Sequence, residues 1–347
     1  MNTMTPRERF RSVFSFKRPD DRLPMIEWAA WWDQTILRWK GEGLPAGLDR
    51  DRILRYFGLD VLVTLGGTAH APGLLNGVQH GHPVIRSEAD YEALLPSLYP
   101  AASIEQAVAR AADLRDRHER GELVTRVWLD GFFWWPRILL GIENHLMAFY
   151  DQPELMHRIN RDLLDFNRRM LDGLCGVVTP DMVGIAEDMS YNHGPMLSRD
   201  CFNEFLLPYY RQIVPEVTRR GIKVLVDTDG MVEPMIPWLL DAGFDGVYPL
   251  ERQAGVDVVH IRQAYPRLLM LGGYDKMVLS KGEAAMRAEF ERLLPVMRSG
   301  GYVPSVDHLT PPDVSLEQYR TYVRLFGEYA KEAVSEVPSD AMSPTHT

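Results

Sequence analysis

Carboxylates and one imidazole stand at or just beyond the ends of short apolar runs: Glu27, Asp130, Glu187, Asp188, Asp227, Asp229, Glu251, Asp275, Asp307 and His308. Acids crowded together repel one another, and are tolerated when they share a proton, bind a cation or are screened by water. In Val226-Asp227-Thr228-Asp229-Gly230, the two acids at i and i+2 point to one face of a strand. A helix cap by Asp229 is the structural alternative. Oxygen donors with one imidazole suit zinc, manganese, iron or magnesium rather than a soft metal. The expected ligands are Glu187, Asp227, Asp229 and His308. His308 also qualifies as a proton donor, with Asp307 and Glu251 as further catalytic groups beside it. His70, His80, His82 and His193 fall in loops and read as structural.

The aromatic residues gather near two of the same run ends: Trp28, Trp31, Trp32, Trp128, Phe132, Phe133, Trp134 and Trp135. Two readings are open, a core or subunit interface and a pocket wall for a flat ring or a cationic group. In the second, Trp28, Trp32, Trp135 and Asp130 contact substrate. Arg137 holds a substrate carboxylate or makes a salt bridge at a helix start.

The elements that must position these groups follow a strand–helix cadence. Eight apolar runs, at residues 24–28, 60–66, 125–131, 182–188, 222–229, 244–251, 268–275 and 302–308, read as buried parallel strands because they scarcely alternate. Helical patterns follow most of them, over 103–120, 152–173, 199–220 (restarted at Pro208), 231–242, 257–265, 281–298 and 315–336. Thr5-Pro6-Arg7-Glu8 opens an N-terminal helix with cap, proline and capping box. Residues 76–86 read as a loop or hairpin. The fold class is therefore α/β, a (β/α)8 TIM barrel with chemistry at the C-terminal strand ends. One domain is expected over 1–336, with a disordered tail over 337–347.

Bulk composition narrows the function. Apolar residues make up 46% and charged residues 25% of the 347, as in ordinary globular proteins. The formal net charge of −10 and the lack of a basic cluster argue against nucleic acid. No apolar run reaches the roughly 20 residues that span a bilayer, and no signal peptide is evident, so a cytoplasmic location is expected. Cys175 and Cys201 alone exclude a disulfide framework and a thiolate-rich zinc site.

Five stretches then read together: Thr5-Pro6-Arg7-Glu8-Arg9-Phe10, Asp21-Arg22-Leu23-Pro24, Phe205-Leu206-Leu207-Pro208-Tyr209, Gly272-Gly273-Tyr274-Asp275, and Asp307-His308-Leu309-Thr310-Pro311-Pro312-Asp313. Their order and spacing resemble the uroporphyrinogen decarboxylase superfamily over roughly residues 4–330. That superfamily contains true decarboxylases and zinc-dependent methyl-corrinoid methyltransferases. The Arg-rich segment of the decarboxylases corresponds here to Glu27-Trp28-Ala29-Ala30-Trp31-Trp32-Asp33, which has no Arg. Their Asp past the second strand corresponds to Leu65-Gly66-Gly67, their Tyr to Ile142, and their Ser to the region 188–192. Only their final His has a counterpart, His308. In the methyltransferase branch a His-x-Cys motif and a second Cys hold zinc, and here Asp227-Thr228-Asp229 and Asp307 stand in those places.

The resemblance implies metal-assisted methyl transfer from a small methylated substrate, with a corrinoid on a separate protein as acceptor. A carboxy-lyase acting on a tetrapyrrole or a smaller acid, and a non-catalytic ligand-binding barrel, are the alternatives. No covalently bound cofactor is expected, and a homodimer is implied as the partner state.

Overall fold

A computed structural model describes residues 3–76, 78 and 81–335. His80 and the 337–347 tail lie outside the described residues. Seven parallel strands form one curled sheet in the order β1 (Leu62–Leu65), β2 (Val124–Asp130), β3 (Met182–Ala186), β6 (Lys223–Asp227), β7 (Gly246–Tyr248), β8 (Leu269–Tyr274) and β9 (Tyr302–Val306). A small antiparallel pair, β4 (Ser190–Tyr191) and β5 (Gly194–Pro195), follows β3. Residues of β3 and β9 are buried throughout, because helices cover the outside and side chains fill the inside. The expected α/β barrel is therefore the architecture observed.

The run at 24–28 departs from expectation, since it carries no regular ladder. It nonetheless fills the eighth position, between β9 and β1. Asp60 N donates to Met25 O at 2.8 Å on one side, and Trp28 N donates to Ser305 Oγ at 3.2 Å on the other. Side chains replace the missing ladder. Glu27, fully buried, accepts from Tyr322 Oη at 2.6 Å and from Ser305 Oγ at 3.1 Å.

Burial lifts the Glu27 carboxyl from 4.5 to about 7, against the pull of those two hydroxyls. The folded state therefore holds its proton more tightly than the unfolded chain. The Glu27 contribution is complete below pH 4.5 and is lost as pH rises toward 7, a fall of about 3 kcal/mol. Urea titrations at pH 5 and pH 8 check this: the wild-type loss between them should shrink in Glu27→Gln, and an equal loss in both proteins would refute it.

The helices begin where the sequence places caps. Thr5 and Ser315 complete capping boxes at Pro6–Phe14 and Leu316–Glu332. The expected restart near Pro208 is a π-helical turn, Phe202–Leu206, ahead of the helix Leu207–Thr218. The 231–242 helix is shorter than expected, a 3-10 turn at Glu233–Met235 running into Ile236–Asp241. Among the described residues, no helix is long and apolar enough to cross a membrane.

Pairing register sets the height of the site. Asp130, Ala186, Asp227 and Tyr248 are successive partners across β2, β3, β6 and β7, so these strands end at one level. The two ends of the barrel treat their acids differently. At the N-terminal end, Asp60 accepts from Arg22 Nη1 and Nη2, both at 2.7 Å, and from Arg9 at 3.3 Å. Asp181 accepts from Arg7 and Arg11, each at 2.8 Å, and Asp245 accepts from Lys223 at 2.8 Å. At the C-terminal end the pairs of the strand-end acids among the described residues are longer, at 3.6–3.7 Å from Lys276 to Glu251 and Asp307 and from His308 to Asp229.

Candidate functional site

At the C-terminal strand ends a cavity of about 310 Å³ opens, near the small end of ligand sites. Asp188, Asp227, Asp229 and His308 line one part of it, and Trp28, Trp128 and Trp134 form its aromatic walls. Strand alternation explains the selection. Asp227 and Asp229 share a face, as do Ala186 and Asp188, which puts Glu187 on the other side. Trp28 is fixed by its indole N–H, which donates to Val306 O at 2.9 Å, and meets His308 edge-on at 6.1 Å.

One atom each from Asp229, Glu251 and His308 lie within 4.8 Å of one another. His308 Nε2 is 3.7 Å from Asp229 Oδ2, and Glu251 Oε2 accepts from Gly230 N at 3.1 Å. Lys276 Nζ stands 3.6 Å from Glu251 and 3.7 Å from Asp307. All three residues of the triplet are half-buried. Two carboxylates and an imidazole fit a divalent cation with open positions for substrate.

The electrostatics follow from burial and crowding. Burial pushes the Asp227 carboxyl well above its ordinary range, and neighbouring Asp188 adds to this while Arg126 opposes it. Asp229 rises to about 7, through burial and then the charges of Asp188 and Glu251. Asp188 is also raised by burial, with Arg137 opposing. Burial and then the Lys276 charge hold His308 below its ordinary value. Acids so placed retain protons or attract a cation.

Several expected site residues stand elsewhere. Glu187 is not part of the acidic group, because its carboxylate is occupied by the protein: Phe132 N donates at 2.9 Å, Phe133 N at 2.7 Å and Trp134 N at 3.2 Å, and Tyr210 Oη also donates. Burial lifts its pKa to about 7 against these four donors. Asp307 is buried beneath His308 and accepts from Arg252 N at 2.9 Å and Lys276 N at 3.2 Å. Its pKa rises to about 6 through burial, which Lys276 opposes.

Asp130 lines a second, larger groove of about 780 Å³ beside β1. Burial raises its pKa to about 6. Trp135 donates to Tyr99 Oη at 3.0 Å and stacks on His70 at 6.1 Å, outside the acidic cavity. Trp32 is 47% exposed at the start of Asp33–Gly41 and lines neither space. Among the described residues Arg137 forms no salt bridge: it donates to Asp188 O at 2.9 Å and covers the Trp134 ring at 5.4 Å. That bond braces Asp188, whose backbone sits at φ 41°. Asp229 caps no helix, as the following turn starts from Val232 without a side-chain cap.

Two charged residues that line the cavity escaped the sequence reading. Arg126 lies in the interior of β2, and Arg50 begins the helix Arg50–Tyr56, yet both line the acidic cavity. The available signal was an arginine inside the strand Val124–Asp130, directly before the apolar Val127-Trp128-Leu129, where a charge is expensive unless it is used.

The chain resembles known proteins over most of its length. Its structure is similar to that of a methyltransferase from Methanosarcina mazei, at 15% identity and TM-score 0.66, covering 94% of this chain and 99% of that one. Weaker similarities run to a hyperthermophilic β-glucosidase from Pyrococcus furiosus (10% identity, 84% of each chain, TM-score 0.42). A β-glycosidase from the hyperthermophile Thermosphaera aggregans is similar at 11% identity and TM-score 0.42, over 84% of this chain and 85% of that one. No curated protein matches the sequence. The family model for uroporphyrinogen decarboxylase (URO-D) matches residues 81–329, a span that holds six of the seven sheet strands and most of the acidic cavity, and the chain belongs to that family.

Proposed function

We propose that this chain is a methyltransferase that removes a methyl group from a small substrate, with a divalent cation held by Asp229, Glu251 and His308. The convergence of those three ligand atoms within 4.8 Å, two of them from residues that line the cavity, carries the reading. Zinc, manganese, iron or magnesium bound there would act as a Lewis acid on the heteroatom that carries the methyl group. The chain itself confines the substrate. Trp28 and Trp134 wall the cavity, and Lys276 holds Glu251 and Asp307 in place. The methyl acceptor in this reading is a corrinoid on a separate protein, as the likeness to the methyl-corrinoid branch implies.

Metal analysis of protein purified without chelator tests the proposal. About one equivalent of metal is expected, with affinity falling at least ~100-fold in His308→Ala and Glu251→Gln. Absence of binding by zinc, manganese, iron(II) and magnesium in calorimetry, or unchanged affinity in both variants, overturns it. With metal confirmed, methylated donors incubated with reduced cobalamin should yield methylcobalamin.

A carboxy-lyase is the second reading, favoured by the two arginines that line the same cavity as His308. In it His308 delivers a proton to the carbon that loses CO₂. Release of CO₂ from small acids without metal, abolished in His308→Ala, would select it.

A further inference from the structure

Arg126, Trp128 and Asp130 alternate along β2, and Arg126 lies deepest. It is only 4% exposed. Its Nε and Nη2 donate to Thr64 Oγ1 at 3.3 and 2.9 Å, while Nη1 is buried without a hydrogen-bond partner. The Tyr248 hydroxyl, on the facing side of the barrel, is also buried and unpartnered, and its ring centre is 5.6 Å from the guanidinium. Arg50 shares the cavity and donates to Trp28 O at 3.0 Å and Glu27 O at 3.3 Å. Among the described residues, neither arginine forms an ion pair with a carboxylate.

A buried guanidinium without an ion-pair partner is strongly disfavoured. The rings of Trp128 at 5.0 Å and Trp28 at 5.9 Å recover part of this through cation–π attraction. The Nη1 donor and the Tyr248 hydroxyl lie near one another, yet neither completes a hydrogen bond within the protein. Asp188, Asp227 and Asp229 line the same cavity, and Asp227 is near enough to feel the Arg126 charge without being in ion-pair contact with it. A molecule filling the space therefore meets both arginines and acids.

We propose that Arg126 and Arg50 form an anion subsite that seats the carboxylate of a small mono-acid substrate, directing the rest of that molecule toward Asp229, Glu251 and His308. The planar arginine fork matches a carboxylate, and the buried Nη1 and Tyr248 hydroxyl supply the donors such a guest needs. This rests on the proposed reading of the cavity as the substrate site. It narrows that substrate to a small acid.

The test measures binding of acetate, methoxyacetate, benzoate and 4-methoxybenzoate against their primary amides, by calorimetry with EDTA present. Chelator removes the confounding case in which a carboxylate simply ligates metal. At least one acid should bind ~10-fold or more tightly than its amide, and Arg126→Gln should bring the acid to the amide's level. Arg126→Lys, which keeps the charge, should retain part of the preference. Should Arg126→Gln fail to fold, Arg50→Gln provides the second reading, with a loss of at least about threefold expected.

No preference for any acid over its amide, or an unchanged preference in both arginine variants, overturns the subsite. The outcome is separable from the metal reading. Acid preference in a protein that binds no metal defeats only the methyl-transfer proposal, and a metal-binding protein indifferent to carboxylates defeats only this one.

Discussion

Replacing Asp181 with alanine is expected to destabilise the fold by about 3–5 kcal/mol, as for other buried ion pairs that lose one partner. Asp181 is buried at the start of β3 and accepts from Arg7 and Arg11 at 2.8 Å, and from Thr125 N at 2.9 Å. Arg11 is half exposed, so its share is screened by solvent. Most of the loss comes from the Arg7 charge and the Thr125 amide, which would remain without an acceptor. Because the two arginines belong to the helix Pro6–Phe14, the change also frees that helix from the floor of the barrel. Urea denaturation followed by circular dichroism measures the effect. A loss below about 1 kcal/mol would show that the N-terminal helix is held by other contacts.

Glu187→Ala is expected to cost about 3–5 kcal/mol as well, since it strands three backbone amides and the Tyr210 hydroxyl around a new void. Glu187→Gln keeps the shape but turns an N–H toward donors, and should cost about 1–3 kcal/mol. Gly131→Ala attacks the same arrangement from the other side. A Cβ at Gly131 would run into the Glu187 carboxyl and the Ala186 carbonyl, so the loop could no longer approach. Metal affinity discriminates the two roles for Glu187. If it anchors the loop, Glu187→Gln leaves metal binding within about threefold of wild type. A ligand would lose far more, and that result would return Glu187 to the metal site.

Much of this architecture was legible because buried parallel strands are nearly continuous apolar runs, and seven of the eight runs form ladders. The run at 24–28 reads like the others, but its role is carried by Glu27 and Trp28 side chains bonding to Ser305 and Val306. Run composition does not reveal that substitution. At the mouth, the spacing of Asp227 and Asp229 indicates a shared face, and both line the cavity.

The same alternation separates Glu187 from Asp188. What the sequence does not disclose is which of two adjacent acids turns inward, because that depends on the pairing of Ala186 with Asp227. Glu251 reads as a catalytic group, and geometry places it instead among the candidate ligands. Arg126 hid for a different reason. Its charge breaks an apolar run, and an isolated charge in a strand ordinarily signals a solvated face.

The opposite treatment of acids at the two ends of the barrel has a consequence for how such a protein can change over time. Asp60, Asp181 and Asp245 tie the floor together, so replacing them threatens folding before it alters chemistry. Asp188, Asp227 and Asp229 repel one another, and neutral replacements there relieve strain rather than create it. A lineage can therefore explore new reactants at the rim by single substitutions while the scaffold beneath stays viable.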